Sequence, residues 1–348
     1  MITMQDIAKE AGVSRSAVSF VLNKNKLSER IGEDTRKRIE KAAKRLGYAP
    51  DEIARSMVTG TTKTLGLIVD CHIETEYGSK MIAGLMKRAG ERGYFIKLYR
   101  ISNDDLKGLL NFCISQRLAG VILRAGMLLE DQEKFHRELA KRSIPLAFFA
   151  AVNAIPKGIH VMSNDYQGGQ LAFEHLYKLG HRRFMLISRH SGLYVNERMG
   201  GFLDAMEKAG IKNDKEHVFL AKGVAQEQVS EKLKKMPNNP TAIFCCTDYL
   251  AATVLTNLLA NGVKVPEDIS LVGYGKLRFT EYLAPALTTI EEFQAKQAER
   301  TIDLMLKAIE DGDKTSYKEK KYESTDVKLI ARQSTALVEP AKHKEYNK

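Results

Sequence analysis

Within the stretch AGVSRSAVSFVLN, the side chains of Arg15, Ser16, Ser19, Phe20 and Asn23 are spaced so that a short helix would carry them away from its apolar stripe. That stripe is Val18, Val21 and Leu22, which fall within about 100° of arc, the width of a buried helical face. A guanidinium, hydroxyls and an amide presented together offer donors and acceptors suited to base edges in a DNA major groove. Arg15 and Ser16 stand first on the helix and are the expected direct readers, with Arg15 able to grip guanine through two bonds. Phe20 is an odd residue for a solvated face. Its ring cannot donate a hydrogen bond, but it can press on a thymine methyl group.

A second set of chemically able side chains follows apolar runs much further along. Arg124, Arg189, His190, Arg198 and Lys276 lie at or just past such runs, and Asp248 follows AIFCCT. Cations gathered at the mouth of a cleft favour an anion, because arginine meets carboxylate or phosphate through two parallel bonds. Catalytic patterns are missing. There is no GxGxxG, no GxxxxGK[ST] and no nucleophile elbow; His72 beside Cys71 lacks metal-ligand spacing, and Gly273-Tyr274-Gly275 alone is a weak phosphate signal. The expectation is a binding protein without enzymatic activity, metal or cofactor.

These residues need two kinds of support. Around the first set, Thr3 with Asp6 forms a capping box, Gly12 ends a helix, and Ser14 caps the next one, running to about Asn23. A third helix spans roughly Glu33–Leu46, with Gly32 as an acceptable cap, and a short fourth segment covers Asp51 to about Val58. Two helices joined by a tight turn make a helix-turn-helix. From Leu65 onward, short apolar runs (LGLIVD, FIKLYRI, GVILRA, PLAFFA) alternate with amphipathic stretches, and the pattern restarts near residue 160 and continues to SLVGYG. Such alternation predicts parallel doubly wound sheets in two similar α/β lobes, with ligands bound beyond the carboxyl ends of the strands. A helix is expected over 226–236 within the second series.

Composition agrees. The 348 residues carry a formal charge of +11, and residues 1–60 hold twelve Lys/Arg against eight Asp/Glu, concentrated between Lys24 and Arg45. Basic charge beside a helix-turn-helix points to phosphate contacts. The stretch from Lys314 is also Lys-rich but alternates with Glu and Asp, and reads as solvated surface. No apolar run is long enough for a membrane span and no secretory leader opens the chain, so a cytoplasmic location without membrane contact is expected. The four cysteines, without CxxC spacing, are expected to be buried and reduced.

Read together, MQDIAKEAGVSRSAVSFVLN, EDTRKRIEKAAKRLGYAPDEIARSM, KTLGLIVD, EHLYKLGHRRFMLIS, ERMGGFLDAMEKAGI, VPEDISLVGYG and PALTTIEE resemble the lac-repressor (LacI/GalR) family of bacterial transcription regulators over essentially the whole chain. The resemblance implies a helix-turn-helix headpiece in 1–49, a hinge helix and linker in 50–62, and in 63–340 a two-lobed core like periplasmic sugar-binding proteins. The first lobe would take about 63–162 plus 292–322, the second about 163–291 plus 323–340, leaving 341–348 as a tail. It further implies a homodimer on a pseudo-palindromic operator in double-stranded DNA, with DNA affinity set by a small effector between the lobes.

Carried over by position, the DNA-facing set is Thr3, Ser14, Arg15, Ser16, Ser19, Phe20, Asn23, Lys24, Arg30, Arg36, Tyr48, Arg55 and Met57. Phe20 stands where many relatives have a guanine-reading Arg, Asp51 where Asn is usual, and Met57 where a Leu wedges between central base pairs. Arg198 matches an effector-bonding Arg, and Asp248 a polar ligand position; Arg124, Arg189 and Lys276 complete the effector set. Asp165 reads as a helix cap only. Gly275 and Lys276 replace an Asp that binds sugar hydroxyls, and DCHIETEYGSK lacks the Asn-Pro-Phe-Phe-like run. These departures favour a sugar phosphate or sugar acid over a neutral sugar. Alternatives are cations that pair with Glu74, Glu76, Glu291 or Glu292 to gate lobe closure, a regulator without a small effector, and a cytoplasmic ligand-binding or enzymatic α/β protein.

Overall fold

Thr3 and Asp6 open the first helix by capping each other. The Thr3 backbone N–H donates to Asp6 Oδ2 at 2.8 Å, and the Asp6 N–H donates back to Thr3 Oγ1 at 3.4 Å. In the computed structural model, which describes residues 2–23, 26–48, 62–69, 75–101, 106–124, 127–149, 155, 157–188, 193–213, 218–222, 229, 233, 239–312 and 320–338, the chain divides into two compact units, Met1–Lys63 and Thr64–Lys348. In the first, α1 (Met4–Ala11) ends at Gly12, whose φ of +64° is the left-handed conformation glycine adopts without strain. Helix α2 (Arg15–Leu22) is capped by Ser14 Oγ, which accepts from the Ala17 N–H at 3.2 Å. Helix α3 (Glu33–Arg45) starts at Gly32 with no side-chain cap. Ile7, Ala8, Ala11, Val18, Val21, Ile39, Ala42 and Ala43 form one apolar core, with Leu22 half-buried at its margin. The expected loop after α2 is partly ordered as a 3-10 turn over Lys26–Arg30. The hinge segment lies outside the described residues.

In the second unit, β1 (Thr64–Val69), α4 (Glu76–Glu91), β2 (Phe95–Arg100), α5 (Leu106–Ser115), β3 (Gly120–Arg124), α6 (Leu129–Ala140), β4 (Leu146–Phe149) and β5 (Gly158–Ser163) build the first lobe. The second follows with α7 (Asp165–Lys178), β6 (Phe184–Ser188), α8 (Leu193–Lys208), β7 (Val218–Lys222), β8 (Ala242–Cys245), α9 (Asp248–Ala260), β9 (Ser270–Tyr274) and β10 (Thr288–Glu291). Then α10 (Gln294–Glu310) and β11 (Lys320–Thr325) return to the first lobe, and β12 (Lys328–Ile330) closes the second. The two six-stranded sheets have the orders β11-β5-β4-β3-β1-β2 and β12-β10-β9-β8-β6-β7. Every pairing is parallel except β10 with β12.

Strands buried on both faces read as unbroken apolar runs, as in LGLIV and FMLIS, because helices cover both sides. Helix α10 supplies Ala298, Ile302, Met305 and Leu306 to the same core as Leu65, Leu67 and Leu85. The charged stretch expected as plain surface contains β11, paired with β5 and running to Thr325, past the lobe crossing expected at 322. An edge strand tolerates alternating charge, which hides it from an apolar-run search. The chain therefore crosses between lobes three times, and the crossings touch. Asn164 N–H donates to Thr325 O at 2.9 Å, and Ser163 Oγ lies 3.5 Å from Glu292 Oε2.

The C-terminal residues strap the second lobe. Buried His181 hydrogen-bonds Thr241 Oγ1 at 2.9 Å through Nδ1, and Ser270 Oγ and Ala336 O at 3.0 and 3.2 Å through Nε2. Burial holds this imidazole neutral down to about 4. Cys113, Cys245 and Cys246 are buried and unbridged, while Cys71 and the helix expected over 226–236 fall outside the described residues, apart from the isolated Val229 and Leu233. Among the described residues no helix is long and apolar enough to cross a membrane.

Candidate DNA-facing helix and interlobe site

On the headpiece, Ser14, Arg15 and Ser16 are exposed at the start of α2, as are Thr3 and Arg30. Ser19, Phe20, Asn23, Arg36 and Tyr48 are half-buried. Phe20 is not part of the headpiece core, whereas Tyr48 packs against it. The Asn23 amide donates to Ser19 Oγ at 3.2 Å, which fixes both polar groups on the same flank. Lys37 pairs with Glu33 at 2.7 Å, an exposed pair of little energetic weight. Lys24, Arg55 and Met57 lie outside the described residues. The exposed first turn of α2 thus presents a guanidinium and hydroxyls to whatever docks there.

The second candidate site is organised around Arg198, which is only 5% exposed. Its Nε donates to Asp165 Oδ1 at 2.8 Å, Nη1 to Cys246 O at 2.7 Å, and Nη2 lies 3.2 Å from Glu292 Oε2. The guanidinium carbon sits 3.6 Å from the Tyr274 ring centre and 4.9 Å from that of Tyr194. Ser163 Oγ donates to Asp165 Oδ1 at 3.0 Å. Asp165 and Glu292 come from two of the three lobe crossings, so the ion cluster sits where the lobes hinge. Burial pushes the Glu292 carboxyl up, and Arg198 pulls it back. Burial and the charge of Glu292 push the Tyr77 phenol up, and Arg124 also acts on it, which brings two first-lobe side chains into the surroundings of the cluster.

The sequence reading of Asp165 as a cap is corrected. Asn164 caps α7, its Oδ1 accepting from the Gln167 N–H at 3.1 Å, and Asp165 meets Arg198 in the interior. Asp248 is fully buried; its Oδ1 accepts from Thr289 Oγ1 at 2.6 Å and its Oδ2 from the Leu277 N–H at 2.8 Å. A Cβ at Gly273 would lie 2.4 Å from Asp248 Oδ1, so glycine makes room for the carboxylate. Burial pushes the Asp248 carboxyl up to about 6, opposed by those two donors. Lys276 Nζ meets Glu291 Oε1 at 2.8 Å. Arg124, at the end of β3, lies over the Phe149 ring at 5.7 Å, and Arg189 and His190 lie outside the described residues.

Two cations behind the anionic expectation, Arg198 and Lys276, are thus already neutralised by carboxylates of the chain. The sequence did not single out Tyr77, Tyr194 or Tyr274 as neighbours of Arg198, nor set Asp165 against it; the alternative that the cations pair with Glu291 or Glu292 matches the Lys276–Glu291 and Arg198–Glu292 pairs. The available signal was polar residues directly after apolar strands, as in HVMSND and TTIEE. A further contact joins the lobes at one rim. Glu76 Oε1 accepts from the Arg278 N–H at 2.6 Å and pairs with Lys80 at 2.7 Å, while the Glu76 N–H donates to Tyr249 Oη at 3.2 Å.

Residues 3–51 match the model for bacterial regulatory proteins of the lacI family, and 173–335 that for a periplasmic binding protein-like domain. The HTH-type transcriptional repressor PurR of Actinobacillus pleuropneumoniae serotype 3 is 30% identical over 325 residues, covering 91% of this chain and 94% of that protein. PurR of Mannheimia succiniciproducens is 29% identical over 345 residues, covering 97% and 100%. Among solved structures, the lac repressor dimer bound to operator and the anti-inducer ONPF superposes with a TM-score of 0.76 at 21% identity, covering 96% of this chain and 99% of that one. A ribose-bound regulator from Enterococcus faecium gives 0.66 at 23% identity, covering 79% and 100%. At such identities the structures establish the shared fold.

Proposed function

Since the chain belongs to the lacI family of bacterial regulatory proteins, DNA-binding repressors with a ligand-binding core, we propose that it represses transcription as a homodimer on a pseudo-palindromic operator, under control of a small molecule bound between its lobes. The observation that carries the DNA half is Arg15 and Ser16 standing exposed on the first turn of the second helix of a capped helix-turn-helix. That turn is the part of such a motif that reaches base edges, and two-fold symmetry of the protein demands matched half-sites. Ser19, Phe20 and Asn23 flank the readers; Thr3, Ser14, Lys24, Arg30, Arg36 and Tyr48 hold the backbone, Arg55 lies along the minor groove, and Met57 wedges it.

The ligand half rests on the paired α/β lobes and on the polar strand ends that converge at their crossings. Arg124 and Arg198 are the effector-facing arginines of this reading, together with Arg189, which lies outside the described residues, and Asp248 and Lys276 brace the loop that follows β9. A sugar-like effector fits the company of neighbours crystallised with ribose and cellobiose. No step of this function is catalytic, and it is exercised in the cytoplasm, where the operator is.

Selection of operators from a random DNA pool by the full-length protein tests the reading. The expected product is a two-fold symmetric site whose affinity falls steeply with salt. Full-affinity binding of a monomer to one half-site overturns it.

A further inference from the structure

Each of the three nitrogens of the Arg198 guanidinium already has an oxygen of the chain beside it. Asp165 takes Nε, the Cys246 carbonyl takes Nη1, Glu292 takes Nη2, and the Tyr274 ring covers one face. A carboxylate or phosphate gripped through two parallel bonds uses two neighbouring nitrogens of the fork, and both such pairs include Nη2, so one of its oxygens would have to approach the nitrogen that Glu292 Oε2 faces at 3.2 Å. We propose that Glu292 is a specificity-determining residue of the interlobe site: its carboxylate occupies the Arg198 fork as a built-in anion, so the site rejects anionic effectors and admits neutral, hydrogen-bonding ones. This rests on the reading that the cleft takes a small effector.

Three further observations support it. Glu292 is held in place by its own backbone, because Gln297 Nε2 donates to Glu292 O at 2.7 Å and Gln294 Nε2 bonds Gly275 O at 2.9 Å across the same junction. A tethered carboxylate competes at an effective concentration of roughly millimolar or above, which a free anion must exceed. The local charge gives a further anion no surplus of cation, since Asp165 and Glu292 face the Arg198 guanidinium, Lys276 is matched by Glu291, and Arg124 is the one further cation among the described neighbours. Stability gives no reason for the arrangement. Buried ion clusters contribute little net stability compared with apolar packing, and burial pushes the Glu292 carboxyl up, which is the signature of a group kept there at a cost.

The test is anion rescue in the full-length chain. Thermal unfolding of the wild type and of Glu292→Ala is followed with sodium acetate or inorganic phosphate against sodium chloride at matched ionic strength. Glu292→Ala is expected to melt lower and to regain about 2–4 °C with acetate in a saturable manner, and the gain should vanish when Arg198→Met is added. The wild type should respond to acetate and phosphate no more than to chloride. Saturable stabilisation of the wild type by phosphate, lost in Arg198→Lys, overturns the proposal, and so does a folded Glu292→Ala that ignores both anions. If Glu292→Ala does not fold, the wild-type phosphate titration alone decides. Neutral sugars added in parallel separate the two readings. If they alter neither melting nor operator binding while acetate rescues the variant, the small-effector reading falls and the filled fork stands.

Discussion

Arg15 and Arg198 carry the same guanidinium into opposite surroundings. Arg15 is exposed on the first turn of α2, and the neighbouring donors point outward with it. Arg198 is buried, with two carboxylates and a carbonyl beside its nitrogens and an aromatic ring on its face. An arginine in solvent keeps its bonding capacity for a partner, whereas one surrounded by matched acceptors has spent that capacity on the fold. The match of NERMGGF to a family Arg that bonds the effector marked Arg198 as chemically important without revealing which of these two conditions it was in, and the structure sets it on helix α8, not at a strand end.

The largest effect is expected from Arg198→Met, which strands Asp165 and Glu292 without their cation. Loss of about 3–5 kcal/mol should appear in the core transition of a urea titration followed by circular dichroism, the chain having no tryptophan to report by fluorescence. Arg15→Ala should leave that transition within about 0.5 kcal/mol of wild type. Comparable losses for the two would erase the contrast.

Next in size is the response to acid. The folded state holds His181 neutral down to about 4 against an ordinary 6.5, so the unfolded chain binds the proton more tightly. Its contribution is complete above pH 6.5 and disappears as pH falls through that window to about 4, a loss of about 3 kcal/mol. Asp248, pushed up to about 6, works in the opposite sense over part of the same range, which is why the comparison needs a variant. His181→Asn should flatten the pH dependence of core stability; an unchanged slope assigns acid sensitivity elsewhere.

DNA recognition comes third. Phe20→Arg should add preference for guanine at its contacted position by about 1–3 kcal/mol if two bonds form, read by operator selection with wild type and variant. An unaltered consensus means α2 docks differently. The smallest effect concerns Gly32. It starts α3 without a side-chain cap, and nothing lies within 4 Å of the position a Cβ would take. Gly32→Ser should stabilise the headpiece by a few tenths of a kcal/mol, visible as a small rise in its own midpoint. A fall would show that the N-terminus of α3 depends on that glycine.

Local patterns made the headpiece readable. The capping box of Thr3 and Asp6, the Ser14 cap and the Gly12 stop are encoded within a few residues of the bonds they make. The alternating strands and helices of the core were readable for the same reason. The ion cluster was legible only as an alternative, cations pairing with Glu291 or Glu292, and the part of Asp165 was not legible, because Ser163 and Glu292, 129 residues apart, meet only once three crossings are assembled. Even the Asn164-Asp165 pair misled: either residue type can cap a helix, and only tertiary structure decides that Asn164 does while Asp165 faces inward. Strand β11 was missed because its edge position lets charge alternate where an apolar run would betray an interior strand.

The triple crossing also bears on how the molecule is made. The headpiece core is contiguous in the chain and can close as soon as residue 48 has left the ribosome. The first lobe cannot, since Ala298, Ile302 and Met305 belong to its core and β11 to its sheet. At ~5–20 residues per second, roughly 10–30 s separate the synthesis of Ser163 from that of Thr325. During translation the first five strands therefore wait with an open flank while the second lobe is still being added. A DNA-reading unit that is ready early thus stays attached to a regulatory body completed late, and a chain truncated in α10 would bring the first without the second.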